Sequence, residues 1–360
     1  MSMHETGKMD ETGIESATKP KQTEMAPIGG KSFSRRKFLQ LSGGVTAAAL
    51  LPALAFGSEK ASACSCPIPT SPRFSLSGSG GELFREVPLG SVTVLQSFGF
   101  DSGNSALYTI QLTYGSPATA GDLTVTKLGL SGSIQGQMQL KGFGHGVSIG
   151  VEPSGSSAYL WTETDGVSDG TNSWGTKICR FPFANGTTLY NTDASLAKYT
   201  VPGTNSSYTC SIDHYHGNLI VRYRGTGGTP RFDVYNLESF KAGNRNPIAT
   251  VYQPSTLGVF QGYCAYGSYL YLLDGTAYGT SNPSPGNTYL TTVDINTGTQ
   301  VDRFLTQAGG SLTYREPEGL AVHLTDPSSE STGRLCFGFA SGSAGGRKAT
   351  IFFKNSFIPS

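Results

Sequence analysis

Apolar residues downstream of Val87 come in short runs, among them Leu107-Tyr108-Thr109-Ile110, Leu219-Ile220-Val221 and Tyr269-Leu270-Tyr271-Leu272-Leu273, each closed off by Gly, Asn, Asp or Ser. Runs of this kind, rich in β-branched and aromatic residues and punctuated by turn formers, predict many short strands. Helix-forming stretches of Ala, Glu and Lys are scarce after Ala63. Hairpin turns are expected at Leu130-Ser131-Gly132 and Asp294-Ile295-Asn296-Thr297-Gly298, where glycine supplies a positive φ.

The strand pattern repeats. Five units share one layout: a polar residue, a small residue, an apolar strand, a turn, and two or three further strands. They open at Gln96-Ser97-Phe98, His145-Gly146-Val147, Thr209-Cys210-Ser211, Gln261-Gly262-Tyr263 and Glu318-Gly319-Leu320. Their spacing of about 50 to 65 residues exceeds the usual propeller repeat because the turns vary in length. One four-stranded unit cannot bury both faces, so neighbours must stack. Closing the stack into a ring gives an all-β fold, a five-bladed β-propeller of four-stranded meanders. The fifth unit ends one strand short, after Thr350-Ile351-Phe352-Phe353. The segment Val87–Val94 is expected to supply that outer strand and close the ring from the N-terminal side. In a propeller the first strand of each blade lines the channel, so Gln96, His145, Thr209, Gln261 and Glu318 are expected to converge on one mouth. Such a ring meets a ligand, or hydrogen-bonds within itself and to ordered water, and both can hold at once.

Ahead of the repeats, Ser34-Arg35-Arg36-Lys37-Phe38-Leu39 resembles the twin-arginine export motif, and an uncharged Ala- and Leu-rich stretch from Leu41 to Ser58 follows. Basic, apolar and small residues in that order describe a signal peptide, with Ala61-Ser62-Ala63 placing the cut before Cys64. Lipidation of Cys64 is the alternative, with Ala61 a poor substitute for the usual Leu. A membrane anchor is disfavoured by Pro52 and the glycines in the apolar stretch. The organisation reads as a disordered polar extension over 1–33, a signal peptide over 34–63, a linker over 64–86 and the propeller over 87–360. The mature protein is expected outside the cytoplasm, secreted or cell-wall associated, meeting the membrane only transiently during export. A twin-arginine substrate folds before export in a reducing compartment, so Cys179, Cys210, Cys264 and Cys336, each within a strand-like run, read as small buried hydrophobes rather than disulfide partners.

A formal net charge of +1 leaves no clustered excess of Lys and Arg, which argues against a nucleic-acid partner. No Cys/His metal spacing or acidic calcium loop is present, so neither metal nor cofactor is expected. The sequence also lacks GxSxG, HExxH and a phosphate-binding glycine loop.

Four motifs carry a family resemblance: Lys141-Gly142-Phe143-Gly144-His145-Gly146-Val147-Ser148-Ile149-Gly150-Val151-Glu152-Pro153, Tyr159-Leu160-Trp161-Thr162-Glu163, Phe260-Gln261-Gly262-Tyr263 and Tyr314-Arg315-Glu316-Pro317-Glu318-Gly319-Leu320. They resemble the propeller domain of the teichoic acid biosynthesis protein C family, which is similar to the heads of staphylococcal phage receptor-binding and baseplate proteins. The likeness covers nearly the whole chain after Ser91. It implies a five-bladed propeller associated with cell-wall glycopolymers, although the family name does not establish a biosynthetic activity. Unlike the phage members, this chain carries an export signal and no obvious stem or trimerisation segment.

Two functions fit. As a binder, the protein recognises an extracellular glycopolymer or polysaccharide of teichoic-acid type. The candidate contacts are Gln96, His145, Trp161, Glu163, Arg222, Arg224, Gln261, Tyr271, Arg315 and Glu318. Aromatic faces stack on sugar rings, and a guanidinium holds phosphate or carboxylate with two parallel hydrogen bonds. Arg222 and Arg224 alternate along one strand and share a face, with an ion pair to Asp213 or Asp233 as the structural reading. As an enzyme, a lyase or glycoside hydrolase, the protein would use His145 as a base, or Glu316 and Glu318, or Glu163 and Glu318, as paired carboxylates. The cluster Asp213-His214-Tyr215-His216 falls at a turn and reads first as a solvated loop.

Overall fold

The computed structural model describes residues 68–203, 205–225 and 228–358. The segments read as a polar extension and an export signal, with Cys64 and Cys66, lie outside them. Among the described residues nearly all the regular structure is strand, with two 3-10 turns and one short α-helix, Leu237–Lys241, capped by the Asn236 side chain.

Five antiparallel sheets follow one another along the chain. Blade one holds Leu95–Asp101, Ala106–Leu112, Leu123–Gly129 and Ile134–Lys141, with Thr188–Tyr190 added in parallel along its outer edge, and blade two Gly150–Ser154, Ser157–Ser168, Ser173–Pro182 and Ala197–Tyr199. Blade three holds Ser206–Asp213, Asn218–Arg224, Pro230–Asn236 and Ala249–Tyr252, and blade four Phe260–Tyr266, Tyr269–Asp274, Tyr289–Asp294 and Thr299–Leu305. Blade five has Glu316–Leu324, Gly333–Ser341 and Lys348–Lys354, and its outer strand is Gly80–Pro88 from the start of the domain. The first strands touch in the order blade one, two, three, four, five, one, which closes the ring.

Ring closure through an N-terminal strand is thus as expected, but its position differs. The closing strand is Gly80–Pro88, upstream of Val87–Val94, and the segment read as a linker over 64–86 contributes it. The polar-looking run Gly80-Gly81-Glu82-Leu83-Phe84 has little strand signature because only Phe84 is fully buried in this edge position. A second clasp lies beneath it. Arg73–Phe74 pairs antiparallel with Phe357–Ile358, and Phe74 packs against Tyr266, Tyr271 and Phe357.

Five apolar clusters hold the ring, each built from two adjacent blades. That arrangement explains why a single repeat lacks a core of its own. Cys179, Cys210, Cys264 and Cys336 are buried within these clusters and unbridged. Toward the axis, backbones replace side chains. A Cβ on Gly262 would lie 3.0 Å from the Gly319 Cα, and one on Gly319 would lie 2.9 Å from the Ser97 Cα. With a φ of 79° at Gly319, only glycine suits this junction of blades four, five and one.

Candidate functional site

The first strands of all five blades begin at one end of the ring, its upper face. Second-to-third strand turns and blade-to-blade connections also gather there. Three first strands open with a β-bulge: the register slips between Leu95 and Ser97, between Phe260 and Gly262, and between Pro317 and Leu320. Gln96 and Gln261 are the added residues in blades one and four, and in blade five Glu318 and Gly319 together face Gly338. Bulges re-aim side chains at the rims of closed sheets. Here they place three of the expected polar groups at corresponding positions, and blade three has its own slip between Ser206 and Thr209.

All five members of the expected ring are nevertheless buried. Gln96, His145, Thr209, Gln261 and Glu318 are each 5 % exposed or less. The Gln261 amide donates to the Gly275 carbonyl at 3.0 Å, and Ser97 donates to the Gly146 carbonyl at 2.7 Å. These polar groups therefore lie below the surface.

The remaining sequence candidates fall into different environments. Trp161 is wholly buried, stacked on Tyr199, with its indole N–H donating to Glu152 at 2.7 Å. Tyr271 is wholly buried near the lower clasp, where its hydroxyl accepts from the Phe74 amide. Neither offers a ring face to a sugar, because the face that alternates inward in a propeller strand packs against the next blade. Arg222 donates to the Gln253 side chain at 2.8 Å and lies over the Phe260 ring, while Arg224 donates to the Gly228 carbonyl. The partner read for them, Asp233, instead takes Arg231 at 2.8 Å together with Tyr223, Tyr235 and Thr250. Arg315 is wholly buried between Tyr278 and Phe339, donating to the Ala308 and Thr306 carbonyls and to Thr288. Desolvation holds its pKa below the usual arginine range. Glu316 is half-buried and accepts from the Tyr314 hydroxyl at 2.5 Å, whereas Glu318 sits within the bulge. The bulge breaks the alternation that would have put the two carboxylates on one face.

Glu163 has a different part. It is buried to 1 %, and its carboxylate accepts the backbone N–H groups of His145 at 3.1 Å, Gly146 at 2.7 Å and Gly175 at 2.5 Å. Burial pushes its pKa up to about 7, against the pull of those amides. A Cβ on Gly144 would lie 2.4 Å from this carboxylate, so glycine is required at that position of the loop ahead of blade two. Glu163 is thus the mould around which His145 is set.

Above that mould rises the longest hairpin of the fold, Ser157–Ser168 with Ser173–Pro182. Its tip carries Trp174, partly exposed and missed by sequence reasoning. The Trp174 ring stacks on the His145 imidazole at 4.8 Å and 26°, and its N–H donates to Asp169 at 2.7 Å. Its cross-strand neighbour Val167 is 59 % exposed. The missed signal is the turn Asp169-Gly170-Thr171-Asn172: an aromatic flanking a hairpin tip lies beyond the interblade core. Among the described residues no cluster of three His, Cys, Asp or Glu is arranged to hold a metal ion.

The lower end differs in character. A small cleft of about 40 Å³ opens there, lined by residues of all five first strands, including Phe100, Ile212, Cys264 and Val322. It has room for two or three waters. At its edge His216 bridges Asp213 at 2.8 Å and Glu330 at 3.0 Å, so the turn expected to be solvated is tied down.

Residues 94–353 match the model of the phage 5-bladed β-propeller receptor binding platform domain. The chain belongs to this family. It is also similar to a protein of Bacillus subtilis (strain 168) that carries the name major teichoic acid biosynthesis protein C, with 28 % identity over 77 % of this chain and 62 % of the relative. The chain therefore spans less than two thirds of that relative's length. Among solved structures, the tail fibre of Staphylococcus aureus phage P68 matches with a TM-score of 0.58 and 20 % identity, over 79 % of this chain and 53 % of the fibre. At that identity the likeness shows the fold alone. The resemblance seen in the four sequence motifs and the five-bladed architecture both stand.

Proposed function

We propose that this propeller recognises a cell-surface glycopolymer of teichoic-acid type through the rim of its upper face, with the buried polar ring as the floor that shapes the rim. The observation that carries this reading is Trp174: a partly exposed indole held by stacking on His145 and by its bond to Asp169. An aromatic side chain fixed before the ligand arrives loses little entropy on binding, which suits stacking against sugar rings. Support also comes from membership of a receptor-binding platform family and from the name of the Bacillus relative. Recognition is favoured over chemistry because three of the four acid–base candidates, His145, Glu163 and Glu318, are buried.

The twin-arginine segment supports export of the finished domain to the extracellular side or cell wall. Replacing Arg35 and Arg36 together by Lys is expected to keep the chain in the cytoplasm, as read by cell fractionation. Equal secretion of both forms would remove this part of the reading.

The test of binding uses purified bacterial cell walls before and after their phosphodiester polymers are stripped. The chain is expected to co-sediment with intact walls and not with stripped ones, and Trp174→Ala to weaken retention about tenfold if stacking contributes as base–aromatic stacking does. Equal retention on both walls would overturn the proposal.

A further inference from the structure

We infer that the upper rim where blades five and one meet is the subsite for the anionic links of the polymer, taking a phosphodiester on Arg347 and the adjoining sugar or polyol against Tyr114. The inference rests on the glycopolymer reading and names the chemistry of one part of that face.

Tyr114 follows the second strand of blade one and is 68 % exposed, the most exposed of the large apolar side chains described. Its backbone is fixed by the Ser91 hydroxyl, which accepts from the Tyr114 amide at 3.1 Å. One residue on, Val92 is 36 % exposed, and its carbonyl accepts the Arg347 amide at 3.1 Å from blade five. The connection Ser91-Val92 thus joins the tyrosine and the arginine into one rim.

Arg347 lies flat over the Tyr314 ring, 3.3 Å from its centre, and donates to the Gly342 carbonyl. Among the described residues no carboxylate forms an ion pair with it. Its neighbour Lys348 is exposed. A guanidinium stacked on an aromatic face, with donors left over and no acidic partner, is suited to an oxyanion held by parallel hydrogen bonds. Lys348 adds a second positive charge without competing for the same geometry.

Beneath Arg347 the backbone is strained. Tyr314 and Arg315 have φ of 68° and 43°, two successive non-glycine residues in the left-handed region. Such residues are costly and gather where a fold holds a side chain in place for use. Here the strain is held by the buried fork of Arg315 and by the Tyr314–Glu316 hydrogen bond, and its product is the tyrosine platform under Arg347. The motif Tyr314-Arg315-Glu316-Pro317-Glu318 is thereby explained as the support of a cation on the rim.

The experiment is biolayer interferometry of the full chain on immobilised poly(ribitol phosphate) teichoic acid, with neutral dextran as the uncharged probe. Arg347→Gln and Tyr114→Ala are each expected to weaken binding about tenfold, the loss typical of one charge-assisted or stacking contact. Arg347→Gln should also flatten the salt dependence, since one fewer phosphate is neutralised. Arg347→Lys, which keeps charge but not the stacked fork, should fall between. Tyr190→Ala, at another exposed tyrosine on the outer edge of blade one, should bind within twofold of the parent. Parent binding with unchanged affinity in both rim variants would overturn the subsite while leaving the glycopolymer reading intact. Equal binding to dextran would overturn the anionic assignment. No binding of the parent to teichoic acid would overturn both.

Discussion

At the scale of single residues, the sequence marked chemistry-bearing side chains but not which way they point. Gln96, Gln261 and Glu318 stand near the starts of first strands, which is legible because a polar residue ahead of an apolar run is visible in the pattern. Their burial was not visible, since it comes from backbone contacts such as Gly262 on Gly319. Trp161 shows the reverse: its family-like motif drew attention, yet the indole is an interblade core residue anchored on Glu152. Glu163 gives the sharpest residue-level prediction. Its folded pKa of about 7 lies above the ordinary carboxylate value, so its contribution to stability is fully present below pH 4.5 and is lost as pH rises through 7. A shift of this size corresponds to about 3 kcal/mol for a buried group. Thermal midpoints of the parent should therefore decline between pH 4.5 and 7, and Glu163→Gln should remove that decline. An unchanged slope in the variant would show that another group titrates.

At the scale of elements, strands and turns were legible because each apolar run is short and bounded, whereas the closing strand was not. Gly80–Pro88 buries little and borrows its partner from the far end of the chain, so its local signature is weak. Removing Gly80–Pro88 would leave the third strand of blade five with an open edge facing solvent. Loss of a single cooperative melting transition is expected, and retention of it would show that the ring closes without this strand. Phe74 locks the clasp below, and Phe74→Ala is expected to cost about 3–5 kcal/mol, as large-to-small changes in packed cores do. Denaturant unfolding measures it, and a change under 1 kcal/mol would assign the clasp no mechanical role. A third element-scale device is the His216 bridge, which ties the first turns of blades three and five, while Asp213 also accepts the Gly267 amide of blade four. Burial opposes the imidazolium, and the hydrogen bonds and charges of Asp213 and Glu330 outweigh it, raising its pKa. The stability it supplies is complete below the unfolded histidine pKa of about 6.5 and fades as pH rises through the higher folded value. His216→Gln should flatten the alkaline arm of the stability profile and leave the Glu163 arm unchanged.

At the scale of the whole molecule, the repeat, the family motifs and the composition point to one architecture, and five interblade clusters hold its five blades together. The two faces then divide the work. Straps and clasps occupy the lower face, where Ile68 is bonded to the Asn296 side chain and Phe74 enters the core. The upper face carries the hairpin with Trp174 and the rim with Tyr114 and Arg347. The exposed rim was the least legible part of the sequence, because turn residues have no periodicity to betray their direction. Calorimetric titration of the parent with purified teichoic acid, followed by sizing of the recovered polymer, tests the central claim most directly. The account predicts saturable binding with polymer length unchanged. Absence of binding, or shortening of the polymer that disappears in His145→Ala or Glu318→Ala variants with intact folding, would contradict it.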